Sequence, residues 1–199
     1  MLTSPLLLGL LLGFRHAADA DHVATIATVV VGRANLAGAL RTAIFWGLGH
    51  TLTFFAVGLG IVLFGLQFPP ELEAAVDIAI ATSLLLLGAA QLARAARDQH
   101  SHEAPHAARP IILGCMHGLA GSAAVALLAL TSIHSEPAAL LYLALFGVGT
   151  IAGMSLITFM LAWSFRLSTS TAWMRRGLMM TAGAASCLCA VTIFHELMS

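Results

Sequence analysis

Lysine is absent from this sequence of 199 residues, and charged residues of all kinds make up only 9% of it. Soluble globular domains carry about 25% charged residues, so the composition excludes that class. The formal net charge is zero and the sequence has no basic patch, which excludes a nucleic-acid-binding protein. The high apolar content excludes an intrinsically disordered chain as well.

Cysteine is also scarce, with three residues that all lie in apolar segments. Cys187 and Cys189 are two positions apart in a predicted helix and therefore face different directions. The pattern indicates neither a disulfide framework nor a CxxC motif. The sequence has no nucleotide-binding P-loop, so the chain itself does not hydrolyse ATP, and we do not expect an enzyme.

Apolar residues make up 59% of the chain, and the mean hydropathy is +0.94. Five polar breaks leave six apolar stretches, each long enough to cross about 30 Å of hydrocarbon as a helix. We therefore predict an all-α integral membrane protein, a single domain of six transmembrane helices. The predicted spans are residues 3–31, 36–66, 73–95, 110–132, 137–165 and 173–197.

Arginine is distributed unevenly between the predicted loops. Eight of the nine arginines flank the first, third and fifth loops, whereas the second and fourth loops carry glutamate and no arginine. Because positive loops stay in the cytoplasm, we predict that these three loops are cytoplasmic and that both termini are external. The third loop, residues 98–109, contains His100, His102 and His106, which either bind a transition ion weakly or belong to a solvated linker.

Two short motifs recur in the two halves of the chain. Residues 12–16 (LGFRH) match residues 113–117 (LGCMH), and residues 49–54 (GHTLTF) align with residues 153–159 (GMSLITF). Because three helices separate the copies, we predict two inverted repeats, residues 1–97 and 110–199, around a metal site near mid-bilayer. The alternative is a chance match, since strings rich in Gly and Leu are common in membrane proteins.

The first predicted span carries Arg15, His16, Asp19, Asp21 and His22 near its middle. An Asp or Arg at a helix centre costs about 2.5–3.5 kcal/mol, so the group needs a partner, a water-filled cavity or a ligand. On one continuous helix, His16, Asp19 and His22 share about 120° of arc and can face a common centre. Asp21 then points elsewhere and can pair with Arg15 or orient a neighbouring helix, and a non-helical break would relax this geometry.

Other spans carry further candidate side chains, with His50 in the second and His117 in the fourth. Imidazole and carboxylate together suit Ni²⁺, Co²⁺, Cu²⁺ or Zn²⁺, whereas Ca²⁺ and Mg²⁺ prefer oxygen ligands alone. For a single intramembrane histidine, hydrogen-bonded packing is the alternative. The predicted metal ligands are His16, Asp19, His22, His50 and His117. The candidates for supporting roles are Asp21, Arg15, Thr51, Ser122, Met154 and Cys115, and for the last two an inert packing role is favoured over ligation.

Residues 15–23 (RHAADADHV) resemble the RHA-x-DADHI signature of the nickel/cobalt transporter (NiCoT) family. Residues 48–51 (LGHT) resemble its second motif, LGHS/T. Residues 117–123 (HGLAGSA) are similar to the corresponding helix of the short branch, the urease accessory protein H-like transporters. The likeness covers predicted helices one, two, four and five. The long members' acidic DTATE-like motif is absent, and residues 118–123 stand in its place.

The resemblance implies a secondary transporter of Ni²⁺, or of Co²⁺, in the bacterial cytoplasmic membrane, with uptake as the expected direction. Related exporters share the HxxxxDH core, so efflux remains an alternative. A non-transporting metal-binding protein is another, while a haem protein is disfavoured because bis-histidine haem sites lack adjacent carboxylates. The sequence distinguishes neither nickel from cobalt nor a monomer from a homo-oligomer.

Overall fold

The computed structural model of the chain describes residues 3–31, 36–66, 69–97, 108–119, 123–133, 135–168 and 171–199. Within these ranges it has eight helices and no strand. The histidines of the third loop and Ser122 lie outside the described residues. The helices are α1 (Thr3–His16), α2 (Ala20–Val30), α3 (Leu36–Phe64), α4 (Pro70–Ala96), α5 (Ala108–His117), α6 (Ala123–Thr131), α7 (Glu136–Ser168) and α8 (Ala172–Met198).

Four helices, α3, α4, α7 and α8, are long and apolar enough to cross a membrane. Large apolar side chains such as Leu52, Leu86 and Leu188 are exposed on their outer surfaces. An apolar surface of this extent is stable in lipid and not in water. The chain is therefore an integral membrane protein, as its composition predicts.

Two of the six predicted spans are not continuous helices, so the described residues contain eight helices where six were expected. The first span, residues 3–31, is α1 followed by a turn and α2, and the fourth, residues 110–132, contains α5 and α6. In both cases the first short helix ends at a histidine, His16 or His117. The breaks occur where polar side chains are buried, and irregular backbone at membrane depth is tolerated where protein surrounds it.

The turn between α1 and α2 is stabilised by its own backbone hydrogen bonds. Ala18 N–H donates to the Arg15 carbonyl at 2.9 Å, and Asp19 N–H donates to the His16 carbonyl at 3.0 Å. Asp19 then adopts an extended conformation (φ −60°, ψ 147°) and begins α2. Asp21, in the first turn of α2, stands at the positive end of that helix, where a carboxylate is favourable.

Glycines bring each short helix that ends in histidine onto a long helix from the other half of the chain. A Cβ at Gly13 of α1 would collide with the Phe146 carbonyl of α7, and one at Gly114 of α5 would collide with the Trp46 carbonyl of α3. Small residues permit such backbone contact between membrane helices. Because each glycine lies three residues before its histidine, these crossings position His16 and His117 in the interior.

The long helices α4 and α8 pack against each other and support α2. Ser186 Oγ of α8 donates to the Leu84 carbonyl of α4 at 2.8 Å. Ala24 of α2 packs against Ile80 and Ala190 of this pair in one apolar cluster. Helix α2 therefore packs against α4, α7 and α8, while its His22 and Thr25 side chains contact His50 of α3 and His117 of α5.

Candidate metal centre

Three buried histidines from three helices meet in the interior: His16 at the end of α1, His22 in α2 and His50 in α3. His50 Nε2 lies 3.0 Å from His16 Nε2, and His50 Nδ1 lies 3.4 Å from His22 Nε2. One ring nitrogen from each lies within 4.8 Å of the other two. We refer to these residues as the three-histidine group, and their spacing suits a shared metal ion.

Two aspartates orient two of these imidazoles. His16 Nδ1 donates to Asp19 Oδ2, and His22 Nδ1 donates to Asp21 Oδ1, both at 2.9 Å. A proton on Nδ1 leaves the Nε2 atom of each ring with a lone pair that faces His50. Carboxylates behind imidazole ligands in this way are the usual second layer of a metal site, because they fix the tautomer and raise ligand basicity.

The third imidazole, His50, cannot satisfy both of its neighbours with its own proton. Both of its ring nitrogens face an Nε2 lone pair, but a neutral imidazole carries only one N–H. One of the two nitrogen–nitrogen contacts therefore brings two lone pairs together in a buried site. A cation between the rings removes that repulsion, and the two carboxylates balance the charge of a divalent ion.

His117 lies beside the three-histidine group with its polar atoms already engaged. Its Nδ1 donates to the Leu113 carbonyl at 2.8 Å, and its Nε2 accepts from Thr25 Oγ1 at 3.2 Å. Its ring centroid is 5.9 Å from that of His22. The structure thus brings this predicted ligand next to the centre, but with Nε2 bonded to threonine.

The expected pairing of Asp21 with Arg15 does not occur among the described residues. Arg15 is exposed, whereas Asp21 is buried and bonded to His22. The expectation treated residues 15–22 as one helix, on which Asp21 would face away from the two histidines. Because the backbone turns after His16, Asp21 instead joins the centre.

The other predicted supporting residues lie in different surroundings. Met154 is fully buried in an apolar cluster with Ala17 and Trp46, a packing environment. Thr51 faces Gly147 of α7, and within the described part of the chain its buried hydroxyl has no hydrogen-bond partner. Cys115 is a half-buried free thiol in α5.

Sequence reasoning missed two residues that contact the histidines of the centre and a third that interacts with Asp21 electrostatically. The Trp46 ring lies 5.3 Å from the His22 ring and 5.7 Å from the His117 ring, between centroids. Thr25 Oγ1 donates a hydrogen bond to His117 Nε2. Both could have been found from helix spacing, since Trp46 is four residues before His50 and Thr25 three residues after His22. Asp77 of α4 interacts electrostatically with Asp21. A carboxylate inside a predicted span could have marked it as a candidate.

Comparison with characterised proteins finds a relative, the urease accessory protein UreH of Bacillus sp. (strain TB-90). The chain is 32% identical to it over 182 aligned residues, which cover 84% of this chain and 80% of the relative. No protein-family model matches the chain, and no solved structure matches it.

Proposed function

Because the chain belongs to the family of urease accessory protein UreH, we propose that it transports Ni²⁺, or Co²⁺, across the membrane through the three-histidine group. The observation that carries this proposal is the pair of aspartates that turn the Nε2 lone pairs of His16 and His22 towards His50. Ni²⁺ and Co²⁺ accept imidazole nitrogen as a ligand, whereas Ca²⁺ and Mg²⁺ favour oxygen ligands. The resemblance of residues 15–23 to the NiCoT signature supports the same ions.

The ligands in this proposal are the Nε2 atoms of His16 and His22 and one ring nitrogen of His50. Asp19, predicted as a ligand, has a carboxylate oxygen engaged by His16, so we assign it and Asp21 to orientation and charge balance. His117 becomes a further ligand when its ring turns away from Thr25. This rearrangement gives the centre two coordination states, as a carrier that must also release its ion requires.

An inverted repeat is the second part of the proposal. In each half, a short helix with an LGxxH motif crosses a long helix of the other half at the motif's glycine, Gly13 or Gly114. The short helices α1 and α5 end at corresponding histidines, and each is followed by a break. Broken helices at matching positions of two halves are typical of secondary transporters, in which one half rocks against the other around a central site.

The proposed direction is uptake into the cytoplasm across the bacterial inner membrane, with both termini external. The arginine-flanked first, third and fifth loops support this orientation. The membrane potential supplies the driving force, since 100 mV is worth about 2.3 kcal/mol per elementary charge and about twice that for a divalent ion. The chain then acts by binding and conformational change alone.

The test is Ni²⁺ uptake by liposomes that contain the purified protein, with an inside-negative potential. We expect uptake above that of empty liposomes, and we expect loss of it in His16→Ala, His22→Ala and His50→Ala. His195→Ala is the matched control, because His195 is exposed near the end of α8. Wild-type uptake equal to that of empty liposomes would contradict the proposed function. Release of preloaded Ni²⁺ without uptake would reassign the direction to efflux.

A further inference from the structure

Helix α4 carries a carboxylate, Asp77, inside its membrane span but outside the three-histidine group. An ionisable side chain at this depth is costly unless it has a partner or a function. Asp77 is half-buried and lies on the same helix face as Ile80 and Leu84, three and seven residues later. Those two residues pack against α2 and α8, so Asp77 lies on the face of α4 that meets both helices.

Asp77 lies level with Asp21 of the metal centre, because α2 and α4 run parallel. The apolar cluster that contains Ile80 joins the two helices near the start of α2, and Gln91 Nε2 donates to the Val31 carbonyl at its end, at 3.4 Å. Asp77 precedes Ile80 by three residues, and Asp21 precedes the α2 member of that cluster by three as well. The electrostatic interaction between the two carboxylates agrees with this register.

Two exposed glutamates continue this series of carboxylates towards the ends of α4 and α8. Glu73 precedes Asp77 by four residues, and Glu196 is near the end of α8, which runs antiparallel to α4. Ile193, three residues before Glu196, packs against the apolar cluster described above. Both glutamates interact electrostatically with Asp77. We refer to Glu73, Glu196, Asp77 and Asp21 as the acidic line, which leads from one end of the protein to the metal centre.

Arginine does not neutralise the acidic line. Within the described part of the chain, none of its four carboxylates forms an ion pair with an arginine. Eight of the nine arginines flank the loops at the opposite end of the protein. Like charges around a partly buried carboxylate disfavour its charged form, and a cation between them reverses that effect.

The inner end of the acidic line has an unused oxygen. Asp21 is only 8% exposed, and its Oδ1 accepts from His22 Nδ1. Within the described residues its Oδ2 is buried and has no hydrogen-bond partner. Buried polar atoms in proteins nearly always have a partner. Oδ2 can therefore contact a cation while Oδ1 keeps the His22 ring oriented.

The turn next to Asp21 reaches the surface of the protein. Ala18 and Ala20 are exposed, and the Asp19 side chain is 21% exposed. A carboxylate oxygen of Asp19 lies within 4.8 Å of one from Asp21. At membrane depth, irregular backbone that protein does not cover must line water, because lipid offers it no hydrogen bonds. The exposed side of the turn therefore faces a water-filled opening beside Asp21.

We propose that Asp77 binds the divalent cation on its way between the external water and the three-histidine group. Glu73 and Glu196 collect the ion at the end assigned to the outside, and Asp21 Oδ2 passes it to the histidines. The proposal rests on the proposed transport of Ni²⁺ or Co²⁺ and adds its entry route. Charge of one sign along a cleft raises the local concentration of opposite ions and speeds their arrival. Imidazole suits these ions better than carboxylate does, so the ion moves inward.

The first experiment removes the charge of Asp77. In Asp77→Asn we expect the KM for Ni²⁺ uptake into liposomes to rise about tenfold, because capture of the ion is slower. The equilibrium Kd of the purified protein should stay within about threefold of wild type, because Asp77 is not a ligand in the centre and solvent screens its charge. Asp77→Glu keeps the charge and should give a KM between the two.

Glu136→Gln is the matched control, because it removes an exposed carboxylate at the start of α7, on the same side of the membrane but outside the acidic line. We expect its KM to equal that of wild type. An equal rise of KM in Glu136→Gln and Asp77→Asn would overturn the proposal, since general surface charge would then explain the effect.

The second experiment varies ionic strength and does not depend on the folding of Asp77→Asn. Between about 0.01 M and 0.15 M NaCl the Debye length falls from about 30 Å to about 8 Å, so wild-type uptake at low Ni²⁺ should slow. A double variant with Glu73→Gln and Glu196→Gln should show a smaller salt dependence and a higher KM. Both glutamates are exposed, so these changes leave the packing intact.

The outcomes separate this proposal from the proposed function. A wild-type KM in both Asp77→Asn and the double variant would overturn the entry route and leave nickel transport in place. A rise in KM that a weaker Kd fully explains would also overturn it, because the carboxylates would then act on the centre itself. Wild-type liposomes that take up no Ni²⁺ would overturn the proposed function and this proposal with it.

Discussion

At the scale of single residues, two aspartates decide which nitrogen of each neighbouring histidine carries the proton. Asp19 and Asp21 each accept from an Nδ1 atom, and this leaves Nε2 of His16 and His22 unprotonated and directed at His50. The resulting conflict at His50 is local, because it results from the number of protons on the ring and not from helix packing. In the proposed metal site, affinity for the ion therefore depends on residues that need not touch it.

The corresponding prediction concerns Asp21→Asn. An amide cannot accept a hydrogen bond from His22 Nδ1 as strongly as a carboxylate, so the ring loses its fixed tautomer. The site also loses the negative charge of Asp21. We expect Ni²⁺ affinity to fall about 10–100-fold, measured as equilibrium binding to the purified protein. Glu136→Gln, at the start of α7, is the charge-matched control. Unchanged affinity in Asp21→Asn would mean that His22 is not oriented by this bond.

Trp46 provides a second prediction at this scale, because a paramagnetic ion quenches a nearby indole. The Trp46 ring centroid lies 5.3 Å from that of His22. In a variant with Trp163→Phe and Trp173→Phe, we expect Ni²⁺ to quench the remaining fluorescence at the concentrations that saturate binding. A variant that keeps only Trp163, which is exposed on α7, should change little. Equal quenching in the two variants would place the ion elsewhere.

At the scale of helices, the first and fourth spans were predicted as continuous, with a non-helical break left open only for the first, whereas the structure breaks both. Residues 17–19 are Ala, Ala and Asp, without the Gly or Pro that usually marks a break. Local hydrogen bonds stabilise the turn, including the bond from His16 to Asp19, which uses the carboxylate that would otherwise cap α2. The apolar content of α3, α4, α7 and α8 was sufficient to predict those helices, and the structure confirms them.

The glycine crossings give the prediction at this scale. In Gly114→Ala the added methyl group would meet the Trp46 carbonyl, so α5 must move away from α3. We expect a loss of about 1–3 kcal/mol of stability, seen as a lower thermal unfolding temperature in detergent.

Gly177→Ala is the matched control for that variant, because nothing lies within 4 Å of a Cβ at this position of α8. Replacing an interior helical Gly by Ala at an open site should be neutral or stabilising by about 0.5–1 kcal/mol. If both variants unfolded at the same temperature, the close approach of α5 and α3 would be in doubt.

At the scale of the whole molecule, the sequence predicted the class of protein from composition, and it predicted which histidines to suspect from motifs. It could not predict that His22 Nε2 and His50 Nδ1, from residues 28 positions apart, would lie 3.4 Å from each other. This distance depends on how α2 and α3 pack. Trp46 was missed for a different reason. An indole is not a metal ligand, so the pattern of candidate ligands does not include it.

Membrane orientation is the prediction at this scale. Since arginine flanks the first, third and fifth loops, reporter fusions at residue 103 should read as cytoplasmic and fusions at residue 136 as external. Fusions at both sites in one expression series serve as each other's control. The reverse pattern would invert the protein and exchange the roles of its two faces in ion capture and release.

The crossing of each short helix with a long helix from the opposite half also constrains biosynthesis. When α1 and α2 leave the ribosome, α7, against which α1 packs, has not been made. The carboxylates and imidazoles of the first span then face the insertion machinery without their final partners, and lipid tolerates such groups poorly. We therefore expect the first span to reach its final packing only after α7, which ends at Ser168, has been made.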